Sequence, residues 1–220
     1  MLSTGNDIVS LNGIDVTRTL QPNFYSKILA PSETALHTEP RFAAIPFEVF
    51  VWLLWSIKES AFKYLQRINP AVLFTPVKFE VNEIRLPEAF KLIDFNLNEL
   101  RDIGFDDYDA ISATVCFERY ILYSKSLVYK GLVSTVVSIN QNCSKTHWGI
   151  KQIASSDTAV QSSEVRAFAI NSLQIMLGDD RVIINKNKHQ IPVAVQNQAK
   201  AIPISLSHHE NWIAYSFLVQ

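Results

Sequence analysis

Residues 55–63 read WSIKESAFK and set Glu59 and Lys63 one helical turn apart within one of the most apolar stretches of the chain. At about 100° per residue, Ser56, Glu59 and Lys63 fall in one narrow sector, opposite Leu54, Ile57, Ala61 and Leu65. Such a pair has a bland reading, a solvated i,i+4 ion pair worth roughly 0.2–0.5 kcal/mol. It also has a chemical one: a carboxylate that binds a hard cation beside an ammonium that binds phosphate. Trp52 and Trp55 lie close to the same line, which suits the wall of a cleft better than an open surface. Magnesium takes oxygen ligands and is commonly held by one or two carboxylates together with substrate phosphates, so a second acid is needed.

Asp7 is the expected second acid. It stands in GNDIVSL, among strand formers where aspartate is disfavoured, with Gly5 just before it to admit a close approach of backbone or ligand. Its alternative reading is an ordinary acid at a strand end or turn. A third group of interest is ISLSHHENWIAYSF, residues 204–217, where Ser207 and His208 close a strand-like run. An imidazole at a turn holds a phosphate oxygen well, or else serves as a hydrogen-bonded structural residue. A nucleophilic Ser207–His208 pair is disfavoured: neighbours on a strand point to opposite faces, and the glycines of a nucleophile elbow are missing.

These side chains need elements to position them. DIVSLNGIDV reads as a first strand running into the Asn12-Gly13 turn. Phe24, Ile28 and Leu29 have helical spacing up to Pro31, and Ser32 is a candidate cap for another short helix. The long helix runs from about Pro46 to Arg67, with Asn69-Pro70 as its stop. Strands are expected in PVKFEVNEIRL, DAISATVCFERYILYS and LVYKGLVSTVVSI. Residues 140–162 are polar and poorly periodic, which suggests a linker or long loop. A second helix is expected from a Ser163 cap to Gly178, followed by strands in RVIINKNKHQIPVAV and AIPISLSHHENWIAYSFLV. The chain then divides into a first half (1–139), a linker (140–162) and a second half (163–220), with helix and strands in similar proportion on each side and no residue-level repeat.

The chain has 220 residues, 48% of them hydrophobic, enough to bury a sizeable core. Its 20 basic and 21 acidic residues leave a net charge of -1, so no global field points to nucleic acid or an anionic membrane. Any anion site must be local. Cys116 and Cys143 fall in no paired spacing, and a reduced, cytoplasmic setting is expected. MLSTGNDIVSL lacks a basic leader, and the longest apolar run, Val49 to Trp55, falls far short of the roughly 20 residues that span a bilayer.

Together and in this order, Gly5-Asn6-Asp7, Trp55 through Lys63, and Ser205-Leu206-Ser207-His208 with Trp212 resemble the motifs of the 4'-phosphopantetheinyl transferases. The middle motif, Trp-(Ser/Thr)-x-Lys-Glu-(Ser/Ala)-x-x-Lys, is the specific one; the other two are weak alone. FYSKILAPSE also looks like the helix and acidic turn that follow the Asp motif. The order is similar to the short holo-acyl-carrier-protein synthase type, whereas the length is similar to the larger, Sfp-like class. The resemblance covers about residues 5–125 and 163–218. It implies an α+β pseudodimer, two similar halves each with a small antiparallel sheet packed on a long helix, here with the halves in swapped order and sufficient as a monomer.

The same resemblance implies transfer of 4'-phosphopantetheine from coenzyme A to a serine of an acyl carrier protein, or of a peptidyl or polyketide carrier domain, with release of 3',5'-ADP. Asp7 and Glu59 would hold Mg²⁺ or Mn²⁺, and Glu59 would also take the serine's proton. Lys63 would stabilise the transferring phosphate, with Arg166, Ser207 and His208 as further coenzyme A contacts. The chain departs from the family in three places: Val9 replaces a third acid, no glycine follows Lys63 closely, and Gln190-Ile191-Pro192 replaces a Gly-Lys-Pro, leaving Lys186 or Lys188 as candidate substitutes.

Overall fold

In β4 (Ile111–Phe117), Ile111, Ala113, Val115 and Phe117 are buried and alternate with half-exposed Ser112, Thr114 and Cys116. That period of two pins one face of a sheet to a core. The computed structural model describes residues 3–106, 109–196 and 200–218. The chain opens with β1 (Gly5–Ser10), the short helices α1 (Val16–Thr19), α2 (Pro22–Tyr25) and α3 (Pro31–Leu36), and the long α4 (Phe47–Ile68). β2 (Glu80–Arg85), β3 (Glu99–Ile103), β4, β5 (Tyr120–Tyr129), β6 (Leu132–Ser138) and β7 (Thr146–Gln152) follow. After α5 (Thr158–Leu177) come β8 (Val182–Lys186), β9 (Pro192–Gln196), β10 (Lys200–His209) and β11 (Trp212–Leu218).

Two antiparallel sheets result, ordered β1-β6-β5-β4-β2 and β3-β7-β11-β10-β9-β8, so the chain is α+β as expected. Each sheet carries one long helix. Leu54, Ile57 and Ala61 of α4 share a core with Val9, Val115 and Val137 of the first sheet. Val165, Phe168 and Leu173 of α5 pack with Ile204, Ile213 and Phe217 of the second. A third cluster, including Ile8, Val136, Trp148 and Trp212, joins the sheets to each other.

β1 is both an edge strand and the contact between these layers. On its α4 face, a Cβ at Gly5 would lie 2.0 Å from the Ser60 carbonyl oxygen and 2.8 Å from the Tyr64 nitrogen, so only glycine lets helix and strand approach this closely. Along its free edge, β10 side chains take up the unpaired backbone donors. The Asn6 N–H donates to Ser205 Oγ at 3.0 Å, and the Ser10 N–H to His209 Nδ1 at 2.9 Å. Covering an edge in this way satisfies groups that would otherwise be buried unpaired or left open to another strand.

Four expectations change. Residues 140–162 are not a loop: they contain β7, an interior strand of the second sheet, and the first turn of α5. α5 is capped by Asp157, whose carboxylate accepts from the Ala159 and Val160 N–H groups, leaving Ser163 within the helix. Ser32 likewise lies inside α3, where Ala30 is the N-cap residue and Glu33 Oε2 accepts its N–H. A division at 139 and 162 also does not follow the sheets, because β3 belongs with β7 in the second one.

Candidate active site

Pro46 sets the start of α4 at its N-cap position, and the helix continues unbroken to Ile68. Its apolar stripe faces the first sheet, which turns the Ser56–Glu59–Lys63 sector toward the edge of β1. Along β1, Gly5, Asp7 and Val9 point to the helix side and Asn6 to the side of β10. Alternation on the strand and periodicity on the helix therefore aim Asp7, Glu59 and Lys63 at one point.

The Lys63 ammonium sits there. It lies 3.0 Å from Asp7 Oδ1, 3.1 Å from Glu59 Oε1 and 3.1 Å from the Asn6 carbonyl oxygen. Two acids far apart in the sequence thus share one cation. Burial pushes the Asp7 carboxyl up to about 7 against the pull of Lys63, with Glu59 adding its repulsion. Burial would lower the Lys63 ammonium, but attraction to Asp7 and Glu59 outweighs it and the pKa rises. When Asp7 is ionised, two carboxylates against one ammonium leave the cluster one positive charge short.

That shortfall has a structural counterpart. Asp7 Oδ2 and Ser56 Oγ are buried, and each lacks a hydrogen-bond partner of normal geometry, although the hydroxyl is close enough to favour the carboxylate. A buried anionic oxygen left unpaired is costly, and a hard cation would satisfy it. The donor set therefore fits a magnesium-type ion. Among the described residues no three acidic, histidine or cysteine side chains converge, so two carboxylates would hold such an ion with water or phosphate oxygens.

Of the other expected contacts, His208 stays within electrostatic reach of Lys63 and Arg166, and Ser207 turns away. His208 is exposed at the end of β10, and its imidazole is held below the usual histidine range by desolvation and by the charges of Lys63, His209 and Arg166. Arg166 on α5 is drawn back to Ser162, donating to its carbonyl oxygen at 2.7 Å and its hydroxyl at 2.6 Å. Ser207 turns the other way: it is buried and accepts from Asn6 Nδ2 at 2.8 Å. It belongs to the seam between β10 and β1, as strand alternation requires. Trp52 and Trp55 are half-buried in an aromatic row with Phe24 and Phe74.

Two charged residues escaped the sequence reading. Lys58, inside the same motif, is fully buried and donates to Glu33 Oε2 at 2.6 Å and the Ile28 carbonyl at 2.7 Å. Its place one turn after Leu54 and one before Ala61, on the apolar stripe, was the available signal. Arg67, one turn beyond Lys63, donates to the Pro192 and Ile204 carbonyl oxygens, and burial lowers its guanidinium to about 10. Lys63 and Arg67 open onto a pocket of about 290 Å³ that His189, Gln190, Ile191 and Leu206 close from the other side. Lys186 and Lys188 do not line it.

The sequence profile of the 4'-phosphopantetheinyl transferase superfamily matches residues 3–112, half of the chain, and this span holds Asp7, Glu59 and Lys63. No curated protein and no solved structure matches the chain.

Proposed function

The chain belongs to the 4'-phosphopantetheinyl transferase superfamily, and from that premise we propose that it moves the 4'-phosphopantetheine arm of coenzyme A to a serine of a carrier protein. The carrier is an acyl carrier protein, as for a holo-acyl-carrier-protein synthase, or a peptidyl or polyketide carrier domain. One observation supports this reading above the rest: Asp7 and Glu59 meet at a single cation within 3.1 Å of each.

In the proposed reaction the carrier serine oxygen forms a bond to the phosphorus bearing the pantetheine arm. The bond from that phosphorus to the bridging oxygen breaks, and 3',5'-ADP leaves with the electron pair. Glu59, partly open to solvent, takes the serine's proton directly or through water. Lys63 places positive charge where the transferring phosphate gathers negative charge. His208 and Arg166 lie on the side of β10 and α5, where they meet the anionic groups of coenzyme A. Asp7 and Glu59 would hold Mg²⁺ or Mn²⁺, which would supply charge neutralisation on the pyrophosphate. The two helix-bearing sheets act as two halves of one monomer.

A second reading, a relative that binds coenzyme A or a carrier without transferring, draws on the departure at residues 190–192. Gln190 has a φ of 63°, the region that favours glycine, so a glycine at this position would suit the backbone. The lysine's place, however, is taken by buried Ile191. Incubation with coenzyme A, Mg²⁺ and apo-carrier proteins, read by mass spectrometry for the added arm, decides between the two. Transfer is expected, with kcat in Glu59→Gln lower by about 100-fold or more at unchanged folding. Undiminished transfer in that variant removes the mechanism, and coenzyme A binding without transfer to any carrier favours the second reading.

A further inference from the structure

We propose that Lys63 is a placeholder: in the empty protein its ammonium holds the position of the divalent ion, and it gives up Asp7 and Glu59 when a phosphate is offered to it. The inference deepens the reading above and rests on its metal and coenzyme A assignments. It concerns what the chain's own lysine does before either is bound.

The geometry carries it. An ammonium has three donors, and all three of Lys63's are used, on Asp7, Glu59 and the Asn6 carbonyl. An ion held by those carboxylates would stand against the ammonium at a few ångströms, where like charges in a partly buried site repel strongly. Lys63 must therefore move for both carboxylates to hold a divalent ion. It has somewhere to go: its side chain is 23% exposed and already lines the pocket between α4 and the β8–β10 side. Asp7 Oδ2, unpaired behind the ammonium, is the acceptor that Lys63 leaves unserved.

The alternative is a structural ion pair that shapes the site for the metal, and the two predict opposite signs. A placeholder competes with the ion, so removing it strengthens metal binding in the absence of coenzyme A. A shaping residue supports the site, so removing it weakens binding. The placeholder also couples metal to co-substrate, because a phosphate that draws Lys63 away frees the acids. Coupling of this kind is typically about 5–150-fold.

The test is Mn²⁺ binding by the full chain, followed by electron paramagnetic resonance with and without coenzyme A, in wild type, Lys63→Met and Asp7→Asn. Lys63→Met is expected to bind Mn²⁺ alone about tenfold more tightly than wild type, with a smaller gain on adding coenzyme A. Asp7→Asn is expected to lose binding in both conditions. Lys63→Met binding Mn²⁺ no more tightly than wild type, with a native circular dichroism spectrum, overturns the inference. Should that variant fail to fold, Lys63→Ala is read in the same way. Should neither fold, wild type decides: equal Mn²⁺ affinity with and without coenzyme A overturns it. If wild type binds no Mn²⁺ even with coenzyme A, the metal assignment of the proposed function fails and takes this inference with it. Mn²⁺ binding with coenzyme A but no gain in the lysine variants sinks the placeholder alone.

Discussion

Lys58 and Lys63 leave the same helix little more than one turn apart, and each meets an acid far away in sequence, yet their surroundings diverge. Lys58 and Glu33 are 0% and 1% exposed and fully matched. Glu33 Oε2 accepts from Lys58 and the Ala30 N–H, its Oε1 accepts from the Val81 N–H, and Lys58 spends a further donor on Ile28. Lys63 faces two carboxylates, leaves Asp7 Oδ2 unpaired, and stands at the mouth of a pocket. The first cluster balances one charge with one and closes the space between α3, β2 and α4. The second carries unspent negative charge beside an opening. Similar residue types therefore make a brace where both carboxylate oxygens have donors and a candidate site where one oxygen has none.

The comparison breaks most sharply at the brace. Lys58→Met leaves the Glu33 carboxylate buried without its counter-charge and is expected to cost about 3–5 kcal/mol, read by urea denaturation. A loss below about 1 kcal/mol would mean that the two lysines are not different in kind. A smaller effect separates two neighbours on β10. Ser207→Ala strands the Asn6 amide and is expected to cost about 1–3 kcal/mol while the KM for coenzyme A stays put. His208→Ala is expected to change stability by no more than about 0.5 kcal/mol while raising that KM. The reverse pattern would move Ser207 into the site.

The smallest expected effect comes from a third acid, which calibrates the other two. Hydrogen bonds from the Arg181 side chain and backbone and from Gln196 hold the Asp179 carboxyl well below its ordinary 3.8. A depressed carboxylate stabilises the fold above its unfolded pKa and loses that contribution as pH falls toward the folded value. Asp179→Asn should therefore lower Tm slightly at pH 7, and the gap to wild type should close as pH drops below about 4. A gap that persists in acid would assign the effect to packing and not to charge.

Much of the site could be read from the sequence, because it follows local rules. Pro46 and the apolar stripe fix α4, Gly5 announces a close approach, and strand alternation separates Asp7 from Asn6 and His208 from Ser207. β7 was hidden for a physical reason. Thr146, Trp148, Gly149 and Ile150 are buried, the last three in a row, so the strand shows no clean alternation. Gly149, which breaks the strand signal, is required by the Tyr215 ring: a Cβ there would lie 2.6 Å from Cε1. The Lys58–Glu33 pair was hidden because its partner lies on another element, and only the mismatch of a lysine on an apolar stripe betrayed it.

β3 falls between β2 and β4 in the chain but pairs with β7, in the opposite sheet from both. During synthesis, residues 99–103 must wait for residues 146–152 to emerge, which at about 5–20 residues per second is an interval of several seconds. The ribosome thus delivers a first sheet interrupted by a strand it cannot use. Cutting the gene between β6 and β7 would yield one fragment with a homeless strand and another lacking its border.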